Sequence, residues 1–158
     1  MLAQIFGYGE WQPMTRRQAV LTCREILEIV RDSGIEVARV GLQPVSDLLR
    51  GPEVLAGPWE EDFRGRVEAE RMRLLASAAL TSAFSLGTRA FTFVVHPREE
   101  SWLRGLEGSN LRLLKEQFRL DELRVLTSSE LAPGEVKAHR GLLAEPPPRA
   151  GRHHDGVG

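Results

Sequence analysis

An α/β fold is what this 158-residue sequence predicts, and three observations predict it. Residues 15–33 read as an amphipathic helix that a Ser33-Gly34 turn hands directly to an apolar run at 35–42, the second half of a strand–helix–strand unit. Ala90 to Val95 (AFTFVV) is a short, nearly all-apolar run rich in β-branched and aromatic residues, the pattern of a strand covered on both faces in a parallel or mixed sheet. Between and after these, helical and strand-like segments keep alternating.

The composition bounds the answer. With 42% apolar and 27% charged residues the chain can bury a core of ordinary size, and a formal charge of −1 supplies no global attraction to nucleic acid. The single cysteine, Cys23, rules out an internal disulfide and a cysteine-built zinc or iron–sulfur site within this chain. No run approaches the roughly 18 apolar residues of a membrane span, and the N-terminus lacks a charged-then-apolar signal pattern. The expected location is cytoplasmic, with no membrane partner.

Taken in order, residues 1–14 are apolar pieces broken by Gly7, Gly9 and Pro13, and Gly7-Tyr8-Gly9, too short for a phosphate loop, reads as a turn or linker. Thr15-Arg16-Arg17-Gln18 fits a capping box that opens the first helix. Ala19, Val20, Cys23, Ile26, Leu27 and Val30 then make one apolar stripe, on which Cys23 behaves as a small buried hydrophobe. Gly34 suits the left-handed position after the helix, and 35–42 is expected to be a strand. A long loop follows, with Gly-Pro steps at 51–52 and 57–58.

A second helix is predicted from about Glu60 to Phe84, with acidic residues at its positive end and Phe63, Val67, Leu74, Leu75, Ala78 and Ala79 on its apolar side. The Ala90–Val95 strand stops at His96-Pro97, and Pro97 fits the first turn of a new helix. Short helices are expected at Ser101–Leu106 and Asn110–Phe118, with Leu111, Leu114 and Phe118 in register. Leu123–Leu126 is a third short strand, Gly134–Lys137 adds a last edge, and 139–158 reads as a disordered tail. The domain organisation that follows is 1–59, then 60–138, then the tail.

The chain's own residues do not declare an enzyme. No Walker motif, dinucleotide fingerprint, nucleophile elbow or zinc spacing occurs. His96, beside Arg98, Glu99 and Glu100, could place an acid/base group at a strand end; the plainer reading is a helix-initiating turn with a solvated charged face. What the pattern does offer is a place for a ligand, because the loop after a strand's carboxyl end is where α/β proteins bind them. Gly41, Gln43, Pro44 and Gly57 are the candidate binding residues.

Four ordered segments extend this reading. Tyr8 to Thr15 (YGEWQPMT), Arg39 to Pro44 (RVGLQP), Ala56 to Glu68 (with AGPW, then FR, then VE) and Arg104 to Leu114 (RGLEGSNLRLL) together resemble the C-terminal part of bacterial radical S-adenosylmethionine (SAM) proteins related to the Elongator catalytic subunit and to the oxygen-independent coproporphyrinogen oxidase-like group. The resemblance implies a partial (βα) barrel end followed by a C-terminal α/β extension, with Gly41, Gln43, Pro44 and Gly57 bordering a SAM or substrate pocket.

The family's three-cysteine cluster motif is absent from this sequence. The implied 4Fe–4S cluster and SAM would therefore be held by a missing N-terminal part, as in a split or truncated protein. No cofactor is expected on this chain alone, and catalysis by it alone is not expected. An open sheet of three or four strands would leave an edge and an apolar face uncovered. Self-association or a separately encoded barrel half is the expected partner, with RNA raised by the Elongator likeness. The alternative is a non-catalytic binding or dimerisation module.

Overall fold

The computed structural model describes residues 2–41, 57–85 and 87–144. In chain order these form α1 (Leu2–Gly7), α2 (Arg16–Asp32), α3 (Phe63–Ala83), β1 (Ala90–Val95), α4 (Glu100–Arg104), α5 (Ser109–Phe118), β2 (Glu122–Thr127) and β3 (Val136–Arg140), with single 3-10 turns at Pro97–Glu99 and Leu106–Gly108. The fold is mixed helix and sheet, as expected. It is not a barrel end among the described residues: the strands form one open sheet in the order β2-β1-β3. Here β1 runs parallel to β2, which α4 and α5 connect, and antiparallel to β3. No helix among the described residues is long and apolar enough to cross a membrane.

The first helix starts and stops as its sequence dictates. The Thr15 hydroxyl accepts from the Gln18 amide at 3.2 Å, and the Gln18 carboxamide oxygen accepts from the Thr15 amide at 2.9 Å, which completes the capping box. At the other end Gly34 takes φ 70°, its amide bonds Arg31 O, and the Ile35 amide bonds Val30 O. That pair of bonds is a Schellman stop, and glycine supplies the left-handed residue it needs. Ala19 and Leu27 are buried and Cys23 is half-buried, so the thiol sits at the margin of the core. Ile26, expected on the buried stripe, is 53% exposed.

One expectation fails here. Residues 2–7 form a short helix, which leads into a turn at Tyr8-Gly9. Residues 35–41 form no strand: Val37 and Val40 pack against the α2–α3 cluster, but no strand among the described residues pairs with them, and an extended segment is a strand only when its amides have a ladder to join. Residue 42 lies outside the described residues.

Helix α3 belongs to two cores. Asp62 caps it, accepting from the Gly65 amide at 2.9 Å. Its first turns bury Phe63 and Val67 against Ala19 and Leu27 of α2, and its later turns bury Met72, Ala76 and Leu80 against Phe91, Phe93 and Val95 of β1. The buried line Met72–Ala76–Leu80 replaces the expected Leu74–Ala78 side, and Ala78 is exposed. Leu103, Leu114, Leu120 and Val125 complete the second cluster.

The opposite face of the sheet is partly covered by the chain itself. The Thr92 hydroxyl, fully buried at the centre of β1, donates to Gly141 O and accepts from the Leu143 amide, both at 2.9 Å. Arg124 Nη1 donates to Leu143 O at 2.9 Å, so the residues after β3 are fastened across this face.

Candidate functional site

A groove of about 1110 Å³ opens among the described residues. One wall is the first turns of α2, the floor is the first half of α3, and the other wall is the α4–α5 corner. Glycine makes that corner. Gly105 has φ 70°, and a Cβ there would lie 2.8 Å from Asn110 Cγ, a contact no side chain tolerates. The space it leaves admits Asn110, which is buried and donates from Nδ2 to Ala69 O at 2.8 Å and to Trp102 O at 3.0 Å. One carboxamide thus ties α5 to α3 and to α4.

The groove carries many charges, and several of them are paired with one another. Arg66 and Arg16 both face Glu60, Arg66 in a short hydrogen bond and Arg16 at 3.7 Å. Arg73 grips Glu70 with two bonds, at 3.0 and 2.6 Å. The hydrogen bond it donates to Glu70 raises the Arg73 pKa against the opposing effect of burial, so this guanidinium stays charged.

Beside these pairs the groove exposes apolar side chains. Leu106 and Leu113 line it while 66% and 51% exposed, and Trp102, Val20 and Leu21 are half-buried beside them. Two large leucines facing solvent at the lip of a concavity form a surface suited to another apolar surface.

The residues singled out from the sequence lie elsewhere. Gly41 has φ 84°, and a Cβ on it would sit 3.1 Å from Phe63 Cδ1, so its close approach is to the core and not to a ligand. Gly57 has φ 114° with Pro13 as its neighbour. Neither lines the groove. Gln43 and Pro44 lie outside the described residues.

His96 caps the 3-10 turn, its Nδ1 accepting from the Arg98 amide at 3.2 Å, which is the plainer of its two readings. Glu99 departs from that reading: it is buried, not solvated. Its Oε2 accepts from the Gly134 amide at 2.7 Å and its Oε1 is 3.4 Å from Arg71. Glu68 is fully buried as well, taking a 2.5 Å bond from Arg31 with Arg71 3.8 Å away. Neither buried carboxylate was visible in the sequence, because helical spacing does not distinguish a charged residue turned inward from one turned out. Among the described residues no group of three or more His, Cys, Asp or Glu side chains is placed to hold a metal ion.

Comparison with known proteins corrects the family reading. No family model and no solved structure matches the chain. Over 79 residues it is 35% identical to ATP synthase subunit delta of Heliobacterium modesticaldum, a stretch that takes in 49% of this chain and 43% of that protein. The chain thus spans less than half the length of this curated relative. The finding points away from a radical SAM protein, and with it fall the Elongator likeness, the iron–sulfur association and the function of a radical SAM fragment. The structure gives local reasons for several motif residues that carried the resemblance. Thr15 caps α2, Gly41 passes the Phe63 ring, Gly105 makes room for Asn110, and Asn110 ties three helices.

Proposed function

We propose that this chain is a non-enzymatic docking module whose groove receives a helical segment of a protein partner. The observation that carries this reading is the pair Leu106 and Leu113, exposed at the groove beside the ion pairs Arg66–Glu60 and Arg73–Glu70. A helix laid in such a groove covers the leucines with its own apolar side and leaves the internal ion pairs intact. The partial likeness to a protein named as a subunit of ATP synthase supports the same class of role, that of a component in an assembly. The near-neutral total charge fits a protein partner better than RNA.

Site-specific crosslinking tests the reading. Photoreactive side chains replacing Leu106 or Leu113 should capture one defined polypeptide in cells, and the same group replacing Leu142, on the far face of the sheet, should not. Capture of RNA from the groove positions, or equal capture from Leu142, contradicts it. Capture of a second copy of this chain would make the partner the chain itself.

A further inference from the structure

A second surface lies on the opposite side of α2 from the groove. By helical spacing Ile26 and Ile29 point away from Val20 and Leu21, and they are 53% and 66% exposed. The Schellman turn brings Ile35, 59% exposed, back beside the last turn of the helix. Three isoleucines therefore face solvent on one short stretch, beside the half-buried Cys23 and Val30.

Acidic residues outnumber the cations around them, which are Arg24, Arg31 and the exposed Arg39. Glu25 and Asp32, both exposed, are the i−4 and i+3 neighbours of Ile29, so their carboxylates run along its solvent border. Glu28 stands beyond them and Glu36 follows Ile35. The cations at hand are largely committed. Arg24 bonds both Glu25 and Glu28, at 3.0 and 3.1 Å, and Arg31 bonds the buried Glu68. A second copy of this chain would set acidic border against acidic border in the symmetric arrangement, which like charges oppose.

We infer that the outer face of α2 is a docking surface for a basic amphipathic helix, one whose apolar stripe covers Ile26, Ile29 and Ile35 and whose Lys or Arg flanks meet Glu25, Asp32 and Glu36. Charge complementarity selects this occupant: apolar burial alone would accept any amphipathic helix, and the carboxylates admit the basic one and repel the acidic one. The surface is independent of the groove, so either assignment can stand without the other.

The test uses the full chain and two synthetic helical peptides with the same leucine stripe, one flanked by lysines and one by glutamates, followed by fluorescence anisotropy. At low salt the lysine peptide should bind about tenfold more tightly than the glutamate peptide, with the preference shrinking as salt rises. Ile29→Asp should weaken the lysine peptide at least tenfold. The double variant Glu25→Lys/Asp32→Lys should reverse the preference while leaving the helical circular dichroism unchanged. Equal affinity for the two peptides overturns the inference. So does binding that survives both Ile29→Asp and the charge reversal, which would place the peptide elsewhere. A concentration-dependent dimer abolished by Ile29→Asp overturns it too, since the occupant would then be a second copy.

Discussion

Arg71 stands between two buried carboxylates, with its Nη1 3.4 Å from Glu99 Oε1 and 3.8 Å from Glu68 Oε2. Through Glu68 it reaches Arg31 on α2, and through Glu99 it reaches the Gly134 amide just before β3. One guanidinium on α3 thus joins the helix pair that forms one side of the molecule to the loop that closes the sheet. The arrangement holds α3, the floor of the groove, in its place between two separate hydrophobic clusters.

The Arg31–Glu68 bond should be asymmetric. Glu68 is fully buried, whereas the Arg31 side chain keeps a third of its surface in water. Removing Arg31 leaves a buried carboxylate whose remaining cations, Arg64 and Arg71, are no closer than 3.8 Å. Arg31→Ala is therefore expected to destabilise by about 3 kcal/mol. Glu68→Met, which lets Arg31 turn outward, should cost about 1 kcal/mol, and Arg31→Met/Glu68→Met should lie close to the parent. Urea unfolding of the three variants checks the order.

Gly134 is constrained twice. Its φ is 91°, and a Cβ built on it would meet Arg71 Nη2 at 2.7 Å. Gly134→Ala should therefore cost about 2 kcal/mol through backbone strain and a displaced Arg71. Hydrogen exchange should show the loss at residues 131–136 before it shows at α2.

The groove's shape depends on the donor of Asn110. Asn110→Asp replaces two donated hydrogen bonds with a carboxylate facing two carbonyl oxygens, and about 3 kcal/mol of stability should go. Asn110→Ala should cost about half that, because Ala69 O sits within α3 and Trp102 O accepts from the Gly105 amide at 3.2 Å. Thermal or urea unfolding separates the two.

At the start of α2, Thr15→Ala should remove about 1 kcal/mol and Thr15→Ser very little, since the serine hydroxyl can make the same bond to the Gln18 amide. Amide exchange at residues 16–18 is the direct readout.

Local chemistry was legible in the sequence where a single residue type has one job. Thr15 and Gln18 announced a cap, Gly34 a stop, and the β-branched, aromatic run at 90–95 a strand. The extended segment at 35–41 was misread because apolar residues that pack onto Phe63 and Val67 look the same in sequence as residues that pair in a sheet. The buried side of α3 was misplaced for a related reason: a helix that serves two clusters does not keep one stripe. The groove itself had no sequence signature. Its leucines, Leu106 and Leu113, belong to different elements, and only the glycine corner at residue 105 and the Asn110 bonds bring them to one lip. The candidate site residues were read from the position of a loop relative to a strand, and the described part of that segment pairs with no other strand.

The docking reading rests on those two leucines, and one measurement addresses it directly: the affinity of the captured partner for the parent chain and for Leu106→Asp/Leu113→Asp, with Leu142→Asp as the exposed-leucine control. Central apolar contacts typically carry about 2 kcal/mol each, so the double variant should bind at least about thirtyfold more weakly with its fold intact, while the control binds as the parent does. Unchanged affinity of the double variant would contradict the assignment of the groove.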